Sequence, residues 1–105
     1  IVVFASDQNG SSDEFINFST NATALVMHMP IPEDASGTAR RLHAPPSVIG
    51  ETASRAKAQS LILSHFMKRS LLHLDQNTNR VRSRFDGTIS IAQDLSCYRV
   101  SNREK

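Results

Sequence analysis

The sequence predicts an α/β fold built around a parallel or mixed sheet. Apolar runs short enough to be strands alternate along the chain with segments whose apolar residues recur at helical spacing. The order of the segments is β-α-β-loop-α-β-α-β, and such alternation is typical of a sheet with helices packed on its faces. Two of the strands end abruptly in metal-competent side chains. Open α/β sheets place their ligands at the carboxyl ends of strands, so we expect function to lie there.

The first half of the chain predicts two strands and one short helix. Residues 1–5 are rich in β-branched and aromatic side chains, which favour a strand. Ser11, with Glu14 three residues later, is a candidate capping box for a short helix. Residues 24–29 are apolar throughout, which predicts a strand covered on both faces. The segment 33–46 shows no period and predicts a long loop.

The second half predicts two helices and two further strands. Ser47 is a candidate N-cap, and apolar and small residues at helical spacing predict an amphipathic helix over residues 48–58. The apolar run 61–64 predicts the third strand. A second helical period predicts a helix over residues 70–84. Residues 88–92 alternate between apolar and polar side chains, which predicts a fourth strand at an edge of the sheet.

Length and composition restrict the class of protein. The 105 residues allow one domain or part of one, and a hydrophobic fraction of 39% allows a core of modest size. The net charge is only +2, and its basic residues are scattered apart from a loose cluster of Arg80, Arg82 and Arg84. Nucleic-acid-binding proteins usually concentrate more positive charge on one surface, so nucleic-acid binding stays a weaker alternative. Cys97 is the only cysteine, so no disulfide forms within the chain. No apolar run approaches the roughly 20 residues that span a bilayer, so we expect no membrane span.

Three side chains stand where chemistry is expected. Asp7 follows the first strand, where a carboxylate could bridge two metal ions or simply bind its own backbone in a turn. His65 ends the third strand. It could be a zinc ligand, or it could be a partly buried histidine that is hydrogen-bonded to a backbone carbonyl. His43 precedes Pro45 and Pro46, which stiffen its loop. A histidine presented from a constrained loop suits the role of a general acid or a substrate contact. The alternative is that His43 is an ordinary exposed histidine.

Four other side chains are weaker candidates. His28 lies inside an apolar strand, and we interpret it as structural. His73, near the start of the last helix, is interpreted as a surface or packing residue. Asp94 follows the fourth strand as Asp7 follows the first, but it could cap the last turn. Cys97 has no basic neighbour and no CxxC partner, so nothing indicates a reactive thiolate.

Taken together, these segments resemble the C-terminal half of a metallo-β-lactamase-fold hydrolase, with the closest match to the branch of ribonuclease Z and related phosphodiesterases. The first strand, ending at Asp7, is similar to the family strand that ends in a metal-bridging aspartate. The segment 61–66 is similar to the strand that carries the last metal-binding histidine. His43, followed by Ala-Pro-Pro-Ser, resembles the His-Ser/Thr loop of the family. Residues 87–95 resemble its closing strand with an Ala-x-Asp-Leu ending.

The resemblance covers nearly the whole chain and has two departures. It implies that residues 1–98 form the C-terminal half of an αββα sandwich and that residues 99–105 are a polar tail. The main metal motif of the family, His-x-His-x-Asp-His, is absent and belongs to the N-terminal half. Met29 stands where the ribonuclease branch often has the Glu that orients the loop histidine. Because the chain opens in a strand without Met, we expect a processed or truncated product.

The resemblance implies a metal-dependent hydrolase in which two zinc ions hold a hydroxide that attacks a phosphodiester or another ester. In that mechanism Asp7 would bridge the metals, His65 would complete the second site and His43 would assist the leaving group. Two protein ligands cannot hold a dinuclear centre, since even one structural zinc normally takes four. We therefore expect the fragment to be inactive until the missing N-terminal half is supplied by the parent chain or a partner.

The alternative hypothesis is a non-catalytic α/β half-domain that acts as a binding module and associates with itself. Half of a two-sheet sandwich would expose an apolar sheet face, which favours a homo-oligomer or domain swapping. The identity of the substrate stays open, because one scaffold of this kind serves several ester chemistries.

Overall fold

The computed structural model describes residues 1–5, 7–93 and 97–99. Asp94 and the Ala-x-Asp-Leu ending predicted for the closing strand extend outside the described residues, as does the tail after Arg99. Within the described part, strands and helices follow one another in this order: β1 (Val2–Phe4), α1 (Asp13–Phe18), β2 (Ala24–His28), α2 (Gly37–Leu42), α3 (Pro46–Arg55), β3 (Ser60–Ser64), α4 (Lys68–Leu71), α5 (Leu74–Arg82) and β4 (Thr88–Ile91).

The four strands form one parallel sheet in the order β1-β2-β3-β4. This confirms the predicted α/β fold class and places the fourth strand at an edge, as expected. The register aligns Val3, Leu25, Leu61 and Ile89 across the sheet. Because consecutive strands run parallel, their carboxyl ends and the loops that follow them meet along one edge.

Helices cover one face of the sheet. Leu25 and Leu61 point into a core that also contains Ile49 of α3 and Val81 of α5, and all four side chains are inaccessible to solvent. The two helices cross closely at Gly50, where a Cβ atom would lie only 2.5 Å from the carbonyl oxygen of Val81. A side chain at this position would therefore push α3 and α5 apart.

The opposite face of the sheet is not covered by helices in the described part of the chain. Phe4 is 76% exposed and Val2 is 40% exposed, while Val26 and Ile62 on the neighbouring strands are half-buried. The prediction that residues 24–29 are covered on both faces is therefore wrong for this face. Parallel sheets are normally covered on both sides, so this apolar face is unusual for a free surface. No helix in the described ranges is long and apolar enough to cross a membrane.

The first helix begins one residue later than predicted. Ser12, not Ser11, is its N-cap, and the Ser12 hydroxyl accepts a hydrogen bond of 3.1 Å from the backbone N–H of Phe15. Ser11 instead donates its backbone N–H and its hydroxyl to the Asn9 side chain. The capping box between Ser11 and Glu14 is therefore not formed. Ser11 binds Asn9 instead, because a short amide side chain readily forms hydrogen bonds to residues of its own turn.

The long segment 33–46 is not a plain loop, because α2 lies within it. The backbone turns at Gly37, which has a φ of +68°, and the helix-favouring residues that follow complete the turn of helix. α3 then begins at Pro46, whose missing N–H leaves nothing unsatisfied in a first turn. Ser47 is thus not the N-cap; its N–H and hydroxyl bind the Glu33 carboxylate at 2.9 and 2.5 Å.

The predicted helix 70–84 is two helices, with a break at His73. His73 has φ −131° and ψ 46°, so α4 and α5 cannot be continuous. Asn77, which is buried in α5, donates a hydrogen bond of 2.9 Å to the carbonyl oxygen of Ser70. This bond satisfies a carbonyl at the end of α4 and fixes the segment that follows the third strand.

Candidate active site

Four side chains from separate segments converge at the carboxyl edge of the sheet. Oδ1 of Asp7, which follows β1, lies 3.4 Å from Nδ1 of His28 at the end of β2. The same oxygen lies 3.7 Å from Nδ1 of His43, in the connection between α2 and α3. The rings of His28 and His65 are 4.6 Å apart between centroids and tilted by 35°. The structure thus brings the three sequence-predicted residues together and adds His28.

Asp7 is the carboxylate of this cluster and is exposed, with 65% of its side chain accessible. It accepts a long hydrogen bond from His28 when Nδ1 of that ring carries the proton. A carboxylate between two imidazoles can orient either ring and stabilise it when protonated. It also keeps oxygen lone pairs directed towards solvent.

His43 is held in place by its backbone, while one ring nitrogen lacks a partner. Its N–H donates to the Ala39 carbonyl at 3.0 Å and ends α2, and Nη1 of Arg40 contacts its carbonyl oxygen at 3.4 Å. Nδ1 is buried and has no hydrogen-bond partner within the described residues, because 3.7 Å to Asp7 is too long for a hydrogen bond. Buried polar atoms are nearly always satisfied, so an orphaned nitrogen here points to a ligand or a small shift.

His65 has a left-handed backbone, with φ +56°. For a side chain other than glycine this conformation costs about 1 kcal/mol or more, and such strain concentrates at functional sites. The residue before His65 is held by the chain that follows β2, because the Met29 N–H donates to the Ser64 carbonyl at 2.8 Å. The turn aims the imidazole at His28 rather than along the strand.

His28 is the residue that sequence reasoning set aside. It pairs with Ser64 in the register and, by strand alternation, shares a face with the half-buried Val26. The apolar composition of residues 24–29 concealed this position. The signal that identifies it is the one used for Asp7 and His65, namely its place at the carboxyl end of a parallel strand.

Met29 is the residue at which the resemblance to the ribonuclease branch predicts a glutamate. It is completely buried, and its thioether cannot orient an imidazole as a carboxylate does. Asp7 is the carboxylate that the described residues place near His43. The departure noted in the sequence therefore corresponds to an apolar contact in the core.

The side chains of the cluster are of the types that bind zinc, but they are too few in the right arrangement to form a complete zinc site. Imidazole nitrogens and carboxylate oxygens are ordinary zinc ligands, and the orphaned Nδ1 of His43 is consistent with an absent partner. Nevertheless, no three or more His, Cys, Asp or Glu side chains in residues 1–5, 7–93 and 97–99 are arranged to hold a metal ion. The residues present therefore supply only part of a ligand set, and a complete metal site would need further ligands.

Two further candidates from the sequence do not join the cluster. His73 lines a cavity of about 590 Å³ with Arg80 and Asp34, beside α5. Cys97 is exposed and is a free thiol.

The chain was compared with protein-family models, with curated proteins and with solved structures. No protein-family model matches the chain, and no curated protein matches it either. Among solved structures, the chain is similar to the metallo-β-lactamase fold protein YhfI from Bacillus subtilis, with a TM-score of 0.75 and 29% sequence identity. The match covers 88% of this chain and 36% of YhfI, so the chain spans about a third of the length of that protein. The parallel α/β sheet described above thus matches part of a metallo-β-lactamase fold protein.

Proposed function

We propose that this chain is the C-terminal half, over residues 1–98, of a metallo-β-lactamase-like domain, and that the complete domain is a metal-dependent hydrolase. The observation that carries the proposal is the convergence of one carboxylate and three imidazoles at the carboxyl edge of a parallel sheet. The structural similarity to a metallo-β-lactamase fold protein supports it. The zinc ions and the hydrolytic activity are the proposed part.

In this proposal Asp7 and His65 are metal ligands, and His28 is a further candidate donor. Asp7 has exposed oxygens, and the strained turn at His65 presents its ring next to that of His28. Zinc, when bound in pairs, polarises an ester and makes hydroxide available at neutral pH. In the absence of a metal, the Asp7 carboxylate forms a long hydrogen bond with His28, which orients that one imidazole at the edge of the sheet.

His43 is proposed to hold the proton that passes to the leaving group. Its ring is only 16% exposed, and its backbone is bonded on both sides, to Ala39 and Arg40. A histidine fixed in this way can donate a proton without first losing side-chain freedom.

The missing ligands are proposed to come from a segment that covers the open face of the sheet. His28 shares that face with Val26 and Phe4, so the histidine cluster lies where the carboxyl edge meets the uncovered surface. A second sheet placed there would bury Phe4 and bring additional side chains to Asp7. By this reasoning the 105-residue chain alone is inactive.

A phosphodiester is the proposed substrate, as in the ribonuclease Z-like branch that the sequence resembles. The completely buried Met29 argues against carrying over that branch's tRNA processing, because the usual glutamate is replaced. The proposal therefore extends to phosphodiester hydrolysis and no further.

The test is hydrolysis of bis(p-nitrophenyl) phosphate by the full-length gene product supplied with zinc. We expect turnover, and we expect His43→Asn to lower kcat by about 10²- to 10⁴-fold, the usual contribution of a general acid. His73→Asn, an equivalent change outside the cluster, is the control and should leave kcat unaltered. Equal activity of the His43 variant and the parent would refute the assigned role, and a zinc-replete protein without turnover on any ester would refute the hydrolase.

The alternative is a self-associating, non-catalytic module, and the exposed apolar face favours it. It predicts a homodimer that is built on the face containing Phe4. Phe4→Ser should then shift the sedimentation coefficient of the chain to that of a monomer. Phe18→Ser is a matched control because Phe18 is equally exposed, at 76%, but lies on α1. A monomeric parent chain would exclude this alternative.

A further inference from the structure

A second concave site lies on the other side of the loop that follows Asp7. It is a cavity of about 370 Å³ between that loop and helices α2 and α3. Three arginines line it: Arg40 and Arg41 from α2, and Arg55 from the end of α3. Its volume is at the lower end of the range for small-ligand sites. The cavity is separate from the histidine cluster but shares a wall with it.

The charge of this cavity is positive and only partly neutralised. Arg55 contacts Asp13 at 3.3 Å, and Glu51, the one acidic residue of the lining, is paired with Arg84 at 3.0 Å. Arg41 binds the neutral hydroxyl of Thr38 at 3.2 Å. Clustered positive charge in a concave site attracts anions, and the planar guanidinium group matches a phosphate in two-point hydrogen bonding.

Arg40 connects this cavity to the histidine cluster. Its Nη1 donates to the carbonyl of Asn9 at 3.1 Å and contacts that of His43 at 3.4 Å. The Asn9 side chain returns a hydrogen bond of 2.8 Å to the carbonyl of Arg41. Among the described residues, the groups that Arg40 contacts are neutral carbonyls, so its charge has no carboxylate partner there. A ligand in the cavity therefore lies beside Arg40, the residue that also contacts the backbone of His43.

We propose that this cavity is a phosphate subsite that holds a second phosphate group of the substrate beside the hydrolytic centre. Arg41 and Arg55 bind the phosphate through their exposed guanidinium groups, and Arg40 holds the wall between the two sites. The substrate part of this inference rests on the proposed function. The phosphate binding does not, because it uses none of the candidate metal ligands.

The first test is a titration of the metal-free, full-length gene product with inorganic phosphate, followed by amide NMR. We expect the largest shifts at Gly10, Ser11 and Thr52, which line the cavity. The double variant Arg41→Gln, Arg55→Gln should raise the Kd at least 10-fold. The double variant Lys68→Gln, Arg82→Gln removes the same two charges from exposed positions of α4 and α5 and should leave the Kd unchanged. Equal loss in the control variant, or unchanged affinity in the double variant, would overturn the subsite.

The second test separates a phosphate of the substrate from free phosphate. A dinucleotide with a 5′-phosphate and the same dinucleotide without it are compared as substrates of the zinc-loaded protein. The double variant should raise KM for the phosphorylated dinucleotide at least 10-fold more than KM for the other. Equal effects on both substrates would show that the cavity takes free phosphate only, against the proposal. If neither dinucleotide is cleaved while inorganic phosphate still binds competitively with the phosphorylated one, the proposed phosphodiester hydrolysis fails and phosphate binding at the cavity stands.

Discussion

The close crossing of α3 and α5 at Gly50 gives a stability prediction whose sign the structure decides. In Gly50→Ala the added Cβ would lie 2.5 Å from the carbonyl oxygen of Val81, 3.2 Å from its carbonyl carbon and 3.0 Å from Cβ of Arg84. These neighbours are backbone or Cβ atoms, so no rotation of a flexible side chain relieves the contact. The helices must instead separate by about 1 Å to restore ordinary van der Waals distances.

Two opposing terms set the magnitude. Alanine favours a helix over glycine by about 1 kcal/mol, whereas overpacking a core costs about 1–3 kcal/mol. The contact here is with fixed atoms and displaces two core helices, so we place the overpacking cost near 3 kcal/mol. The net loss in the free energy of unfolding is then about 2 kcal/mol, or about 10 °C in Tm for a domain of this size.

Urea denaturation followed by circular dichroism measures this loss, with the m-value compared to check that the unfolding transition is the same. Ser54→Ala, at an exposed position of the same helix, is the control and should change stability by less than about 0.5 kcal/mol. If Gly50→Ala proved as stable as the parent or more so, the close crossing of α3 and α5 described here would be wrong.

Two further changes test contacts that frame the site. Glu33→Gln replaces the charged acceptor of the Ser47 N–H and hydroxyl near the start of α3. We expect the free energy of unfolding, measured by a thermal melt, to fall by about 1 kcal/mol. An unchanged stability would mean that the bonds to the carboxylate do not form. Asn77→Ala leaves the carbonyl of Ser70 without its buried donor, and we expect a loss of about 1–3 kcal/mol in urea. An unchanged unfolding midpoint for the Asn77 variant would mean that water replaces its amide freely.

The sequence predicted the sheet well because each strand is a short apolar run bounded by polar or turn residues. The four strands differ from their predicted bounds by one residue or less at each end. The helices were less predictable because tertiary contacts decide their ends. The hydroxyl of Ser47 binds Glu33 fourteen positions away, and the break at His73 is held by the bond from Asn77 to Ser70. No local pattern records these contacts.

The candidate site was predictable in part for the same reason. The position of Asp7 and His65 after strands follows from the parallel topology, and the structure places them at the same edge. The contribution of His28 was missed because its apolar neighbours indicated a buried role. The contacts that hold His43 at the cluster come from Arg40 and Ala39 in a helix that the sequence did not predict.

The proposed dinuclear site is tested by measuring zinc content in three proteins: the full-length gene product, the 105-residue chain and the Asp7→Asn variant of the full-length protein. Elemental analysis after dialysis should give close to two zinc ions per full-length protein and almost none for the 105-residue chain, because its described residues lack a complete ligand set. Replacing Asp7, the proposed bridging carboxylate, should remove at least one ion. A full-length protein that retained no zinc after being supplied with an excess of zinc, or an Asp7 variant that retained both ions, would contradict the proposed dinuclear site.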